Sequence, residues 1–310
     1  IIGLYDFTYS PYALGDLLTF LKKIQCLQHL YNLKYVKLFF FLEPFSPSPK
    51  NQCLFINKDN YYTYIKNLVP LTSLVDNVVD VRIFQNKTKL NFYILKGMLS
   101  GSKFFPGFFN HLLMKYDYQS HKEIVKLYNM KNFIPKFKVP KQNLNNVSKL
   151  INKKKKNVGL NLRQGLIRQL GIMDDRRDAN ILQWIKFLKM CQINYKDVHF
   201  FIFGKLDEIN RRLLLLNNIT HIKSFGYNLL DEIALSEKLD FFLGSNSGYA
   251  TYWLFSKKPF FIFNSENVAK DILRNYKKGF IPNKLQNLSF EVEKFHKIKK
   301  EFLRLYHHYA

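Results

Sequence analysis

The most constraining feature of the sequence is a regular alternation of short apolar runs and amphipathic segments between residues 157 and 264. Runs such as DVHFFIFG, DFFLG and PFFIFN are apolar almost throughout, as are strands buried on both faces of a parallel sheet. Between them, segments such as DANILQWIKFLKMC carry apolar residues at helical spacing, and Asp178 is predicted to cap that helix. DEINRRLLLL is a further predicted helix, residues 219–226 form a further predicted strand, and NLLDEIALSEKL is predicted to be a helix capped by Asn228. Five strands alternating with mostly helical connections predict a doubly wound, Rossmann-like domain.

The first forty residues show the same pattern on a smaller scale. The apolar start IIGLYDFTYSP is followed by apolar residues at helical spacing from Leu17 to Leu30, and then by the apolar run KYVKLFFFL. Strand, helix and strand make one βαβ unit, and continuous apolar strands indicate a parallel sheet covered on both faces. Between residues 46 and 135, SPSPKNQ is predicted to be a loop, YYTYIKNLVPLTSLV a helix broken at Pro70 and VVDVRIF a short strand, whereas GSKFFPGFFNHLLMKY is ambiguous.

A polar stretch from 135 to 157 separates the two regular regions. It contains prolines, many asparagines and the lysine run NKKKKN, a composition typical of a linker. We therefore predict an α/β fold with two Rossmann-like domains facing a cleft: an N-terminal domain over 1–150, a C-terminal domain over 151–290, and a C-terminal helix over 291–310. That helix is basic and amphipathic, which suits packing across the two domains or lying on an anionic membrane.

The net charge of +25 fits an anionic substrate, an anionic membrane surface or nucleic acid as the partner. However, only nine of the 48 basic residues are arginine, and heavy use of Lys, Asn, Ile, Phe and Tyr is also what an AT-rich genome produces. The lysines are scattered through the whole chain rather than interleaved with aromatic residues on one face, which argues against nucleic acid. Three cysteines without metal spacing and the absence of a membrane-spanning apolar run favour a cytoplasmic protein, with the inner face of the membrane as a second location.

In open α/β sheets, ligands bind beyond the carboxyl ends of the strands, so the residues that follow each strand are the candidates for function. Asp16, next to Gly15 at the start of the first helix, is placed to take a proton from an incoming hydroxyl. Its alternative role is to complement the helix dipole. Arg163 follows the apolar run that begins at 157, and its guanidinium can bind a phosphate with two hydrogen bonds. Arg168, Arg176 and Arg177 follow in a polar loop and add to this candidate phosphate site. An ordinary surface loop is the alternative.

Two further strand ends carry candidate ligand-binding residues. One has Gly204, which allows close approach to the backbone, and Lys205, which can reach an anion, although a plain turn explains both residues equally. The other is the loop formed by Ser245, Asn246, Ser247 and Gly248. Short hydroxyl groups and unpaired backbone N–H groups before a helix suit a diphosphate. Capping of that helix by Ser247 is the reading that needs no ligand.

Several motifs are absent from the sequence. There is no GxGxxG after a first strand and no GxxxxGK followed by Ser or Thr, which argues against a dinucleotide oxidoreductase and a P-loop NTPase. There is no GxSxG elbow, and no cluster of His, Cys and carboxylate residues has metal-ligand spacing. We predict neither a cofactor nor a bound metal.

The segment DFFLGSNSGYATYWLFSKKPFFIF resembles bacterial glycosyltransferases of the GT-B fold, in which a strand ends in a Gly-x-Asn/Asp-Ser/Thr-Gly loop before a helix and a Lys-Pro strand. Heptosyltransferases carry a close version, and a group of surface-polysaccharide glycosyltransferases a closer one. VGLNLRQ and RRDANILQWIKFL are similar to the arginine motif of that group and, more distantly, of fucosyltransferases, and LGDLLTF resembles the Gly-Asp loop of heptosyltransferases. The resemblance covers 157–264 well and 1–42 loosely, and it leaves 46–150 unmatched.

This resemblance implies that Ser245, Asn246, Ser247, Gly248 and Arg163 bind the diphosphate of a nucleotide-sugar donor, with Asp16 as base beside the acceptor. Asn161 stands where the arginine motif often has His, so the role of that His does not transfer to this chain.

The implied activity is metal-independent transfer of a sugar to a hydroxyl of a glycan or lipid-linked acceptor, in cell-surface polysaccharide synthesis, with a peripheral contact to an anionic membrane and none to nucleic acid. The alternatives are a nucleotide-sugar epimerase or hydrolase on the same fold, and a basic nucleic-acid-binding protein.

Overall fold

The structure, a computed structural model of the chain, describes residues 1–9, 14–42, 61–118, 120–163, 178–206, 209–263 and 285–308. It divides into two compact units, Ile1–Val139 and Pro140–Ala310. The sequence prediction placed this boundary at 150. The difference arises because residues 141–148 form a helix that packs within the second unit instead of belonging to an irregular linker.

The first unit is built around a parallel sheet of four strands in the order β3-β2-β1-β4. The strands are β1 (Ile2–Asp6), β2 (Val36–Phe41), β3 (Val78–Phe84) and β4 (Phe104–Phe105). The helices are α1 (Leu14–Leu30), α2 (Tyr61–Leu68), α3 (Lys87–Leu99), α4 (Phe108–Leu112) and α5 (Lys122–Lys131), with a 3₁₀ helix over Val69–Leu74. The predicted βαβ unit is confirmed, and so is the break in the helix before Pro70. The predicted loop SPSPKNQ lies outside the described residues.

Helix α1 is buried on more than its apolar side. Lys22 and Lys23 are both fully buried there. The ammonium group of Lys22 donates to Gln25 Oε1 at 2.8 Å and lies 3.6 Å from the ring centre of Phe137. The ammonium group of Lys23 donates to the carbonyl of Asp117. Buried cations are tolerated only when such partners replace water. These contacts therefore hold α1, which carries Asp16 in its first turn, in a fixed position.

The second unit contains a parallel sheet of six strands in the order β10-β9-β8-β5-β6-β7. The strands are β5 (Lys156–Asn161), β6 (Val198–Ile202), β7 (Ile219–Thr220), β8 (Phe241–Ser245), β9 (Phe260–Phe263) and β10 (Gln286–Leu288). The helices are α6 (Lys141–Ser148), α7 (Ile181–Asn194), α8 (Arg211–Leu214), α9 (Leu229–Ser236), α10 (Gly248–Leu254) and α11 (Phe295–His308), with a 3₁₀ helix over Ile222–Phe225. The predicted α/β class with parallel sheets is confirmed.

Several local predictions for this unit are corrected. The predicted strand 219–226 is two residues long and is followed by a 3₁₀ helix. Of the predicted helix over DEINRRLLLL, the described residues from 209 onward contain a helix over Arg211–Leu214. Strand β10 was not predicted. The predicted cap of α7 at Asp178 is wrong, because the residue before the helix is Asn180 and its backbone N–H donates to the carboxylate of Glu293. That partner is distant in the sequence.

The C-terminal helix α11 closes the core of the second unit. Ile298, Phe302 and Leu305 are fully buried among residues of that core, and the ring of Phe302 packs edge-on against Phe187 of α7. Because the apolar face of α11 is occupied in this way, it does not serve as the membrane-contacting surface that the sequence suggested as an alternative. Among the described residues, no helix is long and apolar enough to span a bilayer.

Candidate functional site

Strands β5 and β8 are central neighbours in the second sheet, and their carboxyl ends carry most of the predicted site. Asn161 is paired with Gly244 in the parallel register. A Cβ atom at Gly244 would lie 2.2 Å from the backbone oxygen of Asn161, a distance that no real contact allows. Glycine at this position therefore lets the two strand ends come close together, and with them the loops that follow.

A hydrogen bond joins those two loops directly. The backbone N–H of Arg163 donates to Ser245 Oγ at 2.8 Å, and Ser245 is fully buried. The carbonyl of Arg163 accepts a hydrogen bond from the backbone N–H of Ala179 at 2.8 Å. With both its N–H and its carbonyl engaged, the backbone of Arg163 is fixed, and its partly exposed side chain starts from a defined point at the sheet edge.

The next two residues of the loop hold buried polar atoms. Asn246 is 2% exposed, and its backbone N–H donates to the carbonyl of Phe263 at 3.1 Å. Within the part of the chain that the structure describes, Asn246 Nδ2 and Ser247 Oγ are buried and make no hydrogen bond. A polar atom left in this state costs about 1–3 kcal/mol. These two atoms are therefore ready to bind a ligand or an ordered water molecule.

Ser247 does not cap the helix that follows it. It occupies the N-cap position of α10 with an extended backbone, yet its side chain makes no capping hydrogen bond. The capping interpretation considered from the sequence is therefore wrong. Because α10 has only seven residues, we do not assign anion binding to its dipole and look instead to the loop and to the cationic side chains at this edge of the sheet.

Gly204, at the end of β6, has a positive φ of 134°, which other residues rarely adopt. Its backbone N–H donates to Glu232 Oε1 at 3.2 Å, and its carbonyl accepts from His221 Nε2 at 3.0 Å. Both the N–H and the carbonyl of Gly204 thus have partners within the protein, and a role of this residue in donor binding stays a prediction. Lys205, the next residue, is partly exposed.

The carboxylate of Glu232 is the centre of a buried polar network that sequence reasoning missed. Its Oε2 accepts a hydrogen bond from the hydroxyl of Tyr249 and lies 2.8 Å from Lys223 Nζ. Burial raises the pKa of Glu232, while the Lys223 ammonium group and the hydrogen bonds to it act in the opposite direction. The sequence did contain a signal: Glu232 lies at helical spacing from Leu229 and Ser236, so it falls on the buried face of α9.

Asn161, which replaces the histidine of the resembling motif, has a structural role. Its side-chain Nδ2 donates to the carbonyl of Phe203 at 2.9 Å, and the residue is buried. This bond ties the end of β5 to the residue after β6, next to Gly204. The strand ends that carry Asn161, Gly204 and Ser245 are therefore held together by side-chain hydrogen bonds in addition to the sheet ladder.

In the first unit, Gly15 and Asp16 lie in the first turn of α1, beyond the carboxyl end of β1. The carbonyl of Gly15 accepts from the Thr19 hydroxyl at 2.9 Å. A second carboxylate that the sequence analysis did not select, Asp6, is the last residue of β1 and is buried. Its Oδ1 accepts from the backbone N–H of Thr8 at 2.9 Å, and burial is the main cause that raises its pKa.

Asp6 is linked to a chain of polar side chains that runs away from the strand end. The hydroxyl of Tyr116 is hydrogen-bonded to Asp6 and lies 2.6 Å from His111 Nδ1. His111 Nε2 lies 2.7 Å from Asn91 Oδ1. Burial lowers the pKa of His111 to about 4, so its ring is neutral at physiological pH. Because its partners are all within the protein, Asp6 is better suited to position the strand end than to exchange protons with a substrate.

The predicted residues thus fall into two groups. Arg163, Gly204, Lys205 and the loop Ser245–Gly248 lie at the carboxyl edge of the second sheet, whereas Gly15 and Asp16 lie at the equivalent edge of the first. The predicted arginines at 168, 176 and 177 lie outside the described residues. Among the described residues, no group of three or more His, Cys, Asp and Glu side chains is placed to hold a metal ion.

Comparison with known proteins identifies the fold. No family model and no curated protein sequence matches the chain. Among solved structures, ADP-heptose LPS heptosyltransferase II of E. coli has a TM-score of 0.63 at 11% identity, over 100% of this chain and 99% of that one. E. coli heptosyltransferase WaaC with ADP-2-deoxy-2-fluoro heptose has a TM-score of 0.52 at 10% identity, over all of both chains. A glycosyl transferase of family 9 from Veillonella parvula has a TM-score of 0.53 at 8% identity, over 98% of this chain and 96% of that one. The chain therefore has the fold of the heptosyltransferases.

Proposed function

We propose that this protein is a glycosyltransferase that moves a sugar from a nucleotide-sugar donor to a hydroxyl of a glycan or lipid-linked acceptor. The observation that carries the proposal is the hydrogen bond between the backbone N–H of Arg163 and Ser245 Oγ. It fixes a cationic side chain beside a loop that holds two buried, unpaired polar atoms, on Asn246 and Ser247. The fold adds support, because heptosyltransferase WaaC has been crystallised with ADP and with an ADP-heptose analogue on the same fold.

A diphosphate is the ligand that suits this edge of the sheet. The guanidinium group of Arg163 can make paired, charge-assisted hydrogen bonds to phosphate oxygens. Asn246 Nδ2 and Ser247 Oγ add donors that have no acceptor among the described residues. Lys205 follows β6, the strand next to β5, so it adds a further positive charge at the same edge of the sheet. Together these groups favour an anionic donor over a neutral sugar.

The proposed reaction needs charge stabilisation at the donor and proton removal at the acceptor. The acceptor oxygen attacks the anomeric carbon, the bond from that carbon to the diphosphate oxygen breaks, and the electron pair leaves with the diphosphate. Arg163 and the loop donors would stabilise this leaving group, and we propose that they do so without a divalent cation. The carboxylate of Asp16 would take the proton of the acceptor hydroxyl.

The donor assignment is tested by replacing Arg163 with alanine. We expect R163A to lose binding of nucleoside diphosphates, measured by calorimetry against ADP, GDP, UDP and CDP in buffer containing EDTA, with unchanged circular dichroism. R211A is the matched control, because Arg211 is an exposed arginine of the same unit. Undiminished diphosphate binding by R163A would remove the donor-site assignment.

The base assignment is tested by D16N, with D76N as a control on an exposed carboxylate of the same unit. We expect D16N to retain donor binding and to lose turnover by at least about a hundredfold, as is typical for removal of a general base. Near-normal turnover of D16N would exclude Asp16 as the base. Release of the sugar without any acceptor would point instead to a hydrolase or epimerase that uses the same donor site.

A further inference from the structure

The first unit exposes an unusual number of large apolar side chains within one segment, residues 87–116, which includes α3 and α4. Leu99 is 90% exposed and Phe109 is 80% exposed. Six further residues of this segment are more than one third exposed: Phe92, Leu95, Met98, Leu112, Leu113 and Met114. Isolated exposed apolar residues are normal on protein surfaces, but a concentration of this kind marks an interaction surface.

Two contacts place these side chains on adjoining parts of the surface. His111 Nε2 of α4 lies 2.7 Å from Asn91 Oδ1 of α3, so the two helices are in contact through this pair. At the other end, Met98 and Phe108 line the same cavity, whose volume is about 520 Å³. The two helices are therefore neighbours, and we call the exposed side chains of residues 87–116 the α3–α4 surface.

The charge of this segment indicates the chemistry of its partner. Residues 87–116 contain five lysines and neither Asp nor Glu. All five lysines are exposed: Lys87, Lys89, Lys96, Lys103 and Lys115. Such a surface suits a partner that has both apolar groups and negative charges. An anionic lipid bilayer has both, in its acyl chains and its headgroups. A second copy of the chain would instead bring two sets of lysines together.

We propose that the α3–α4 surface lies on an anionic lipid bilayer, with Leu99 and Phe109 inserted between the lipid headgroups and the lysines bound to the anionic headgroups. This inference does not depend on the donor-site assignment, because binding to vesicles is measured without substrate. It moves the membrane contact away from α11, whose apolar face is buried in the second unit.

The apolar part of the proposal is tested by the double variant L99E/F109E. Both side chains are exposed, so the substitutions leave the fold intact. We expect wild-type protein to co-sediment with vesicles of phosphatidylglycerol and phosphatidylcholine, and the variant to have a partition coefficient at least about tenfold lower. The matched control is I193E/L215E, which replaces two side chains of the second unit that are 72% and 80% exposed. It should bind like the wild type.

The charge part is tested by K87Q/K89Q/K96Q against the control K153Q/K154Q/K189Q, which removes three exposed lysines of the second unit. The first triple variant should lose binding to anionic vesicles at least about tenfold more than the control, and wild-type binding should weaken as salt is raised.

Three results would overturn the proposal. They are failure of the wild type to bind anionic vesicles, equal binding by L99E/F109E and I193E/L215E, and a lipid-free dimer that L99E/F109E abolishes while no vesicle binding is seen.

Discussion

Glu293 is a buried carboxyl group whose ionisation should govern the stability of the second unit. It is fully buried, and its Oε2 accepts the backbone N–H of Asn180 at the start of α7. In return, Gln183 of α7 accepts the backbone N–H of Phe295, the first residue of α11, at 3.0 Å. The two helix starts are therefore held by each other's side chains. Burial is the main cause that raises the pKa of Glu293 to about 7, from the ordinary value of 4.5.

The direction of the pH dependence follows from this raised pKa. Between pH 4.5 and about 7, Glu293 is protonated in the folded protein but ionised in the unfolded chain. The unfolded state therefore binds fewer protons, so this group's contribution to stability is fully present below pH 4.5 and is lost as the pH rises through 7. A difference of roughly 2.5 pKa units corresponds to about 3 kcal/mol of unfolding free energy.

The substitution E293Q removes this titration while keeping an oxygen that accepts the Asn180 N–H. We expect the free energy of unfolding of E293Q, relative to that of the wild type, to rise by about 3 kcal/mol between pH 4.5 and pH 8.5. Urea unfolding followed by tryptophan fluorescence measures this directly, because the only two tryptophans of the chain, Trp184 and Trp253, lie in the second unit.

The control is E291Q, which changes a nearby exposed carboxylate. A hydrogen bond from Lys297 is the main cause that lowers the pKa of Glu291, so the difference curve of E291Q should be small and of opposite sign. Parallel stability curves for E293Q and the wild type from pH 4.5 to pH 8.5 would refute the reasoning, because they would mean that Glu293 titrates alike in the folded and unfolded states.

Three further predictions follow from single positions. G244A should destabilise the second unit and weaken diphosphate binding, because its Cβ would lie 2.2 Å from the backbone oxygen of Asn161. S247A should weaken diphosphate binding without lowering the melting temperature, because it removes a buried hydroxyl that has no partner among the described residues. Calorimetry and thermal unfolding separate the two variants. N228A should cost about 1 kcal/mol in urea unfolding, since it removes the capping box of α9, and an unchanged midpoint would contradict that. Because the pKa of His111 is lowered to about 4, the first unit should lose stability as the pH falls from 6.5 towards 4, and circular dichroism should show a flatter dependence for H111Q.

The sequence predicted those parts of the fold that local patterns determine. Strands such as Phe260–Phe263 are uninterrupted apolar runs, and the cap of α9 at Asn228 uses a partner only three residues away. The prediction failed where the partner is distant in the sequence. The start of α7 was placed at Asp178 because a local cap was expected. In the structure the helix follows Asn180, and the backbone N–H of Asn180 donates to Glu293, more than a hundred residues later.

The candidate site shows the same division. Arg163 and the loop from Ser245 were found because they follow obvious strands, but their connection depends on the pairing of β5 with β8, which the sequence does not specify. Glu232 was missed because a carboxylate on an amphipathic helix is usually solvated, and its helical spacing from Leu229 and Ser236 does not identify its partners, Lys223 and Tyr249. The roles of Asp16 and Arg163 in catalysis remain predictions.

The position of α11 has a consequence for how the protein is made. The first unit is complete by Val139, so it can fold while the rest of the chain is still being synthesised. The second unit cannot complete its core until Phe302 and Leu305 are available, because both are buried in that core. During translation the second unit therefore has an open apolar face until α11 has emerged from the ribosome.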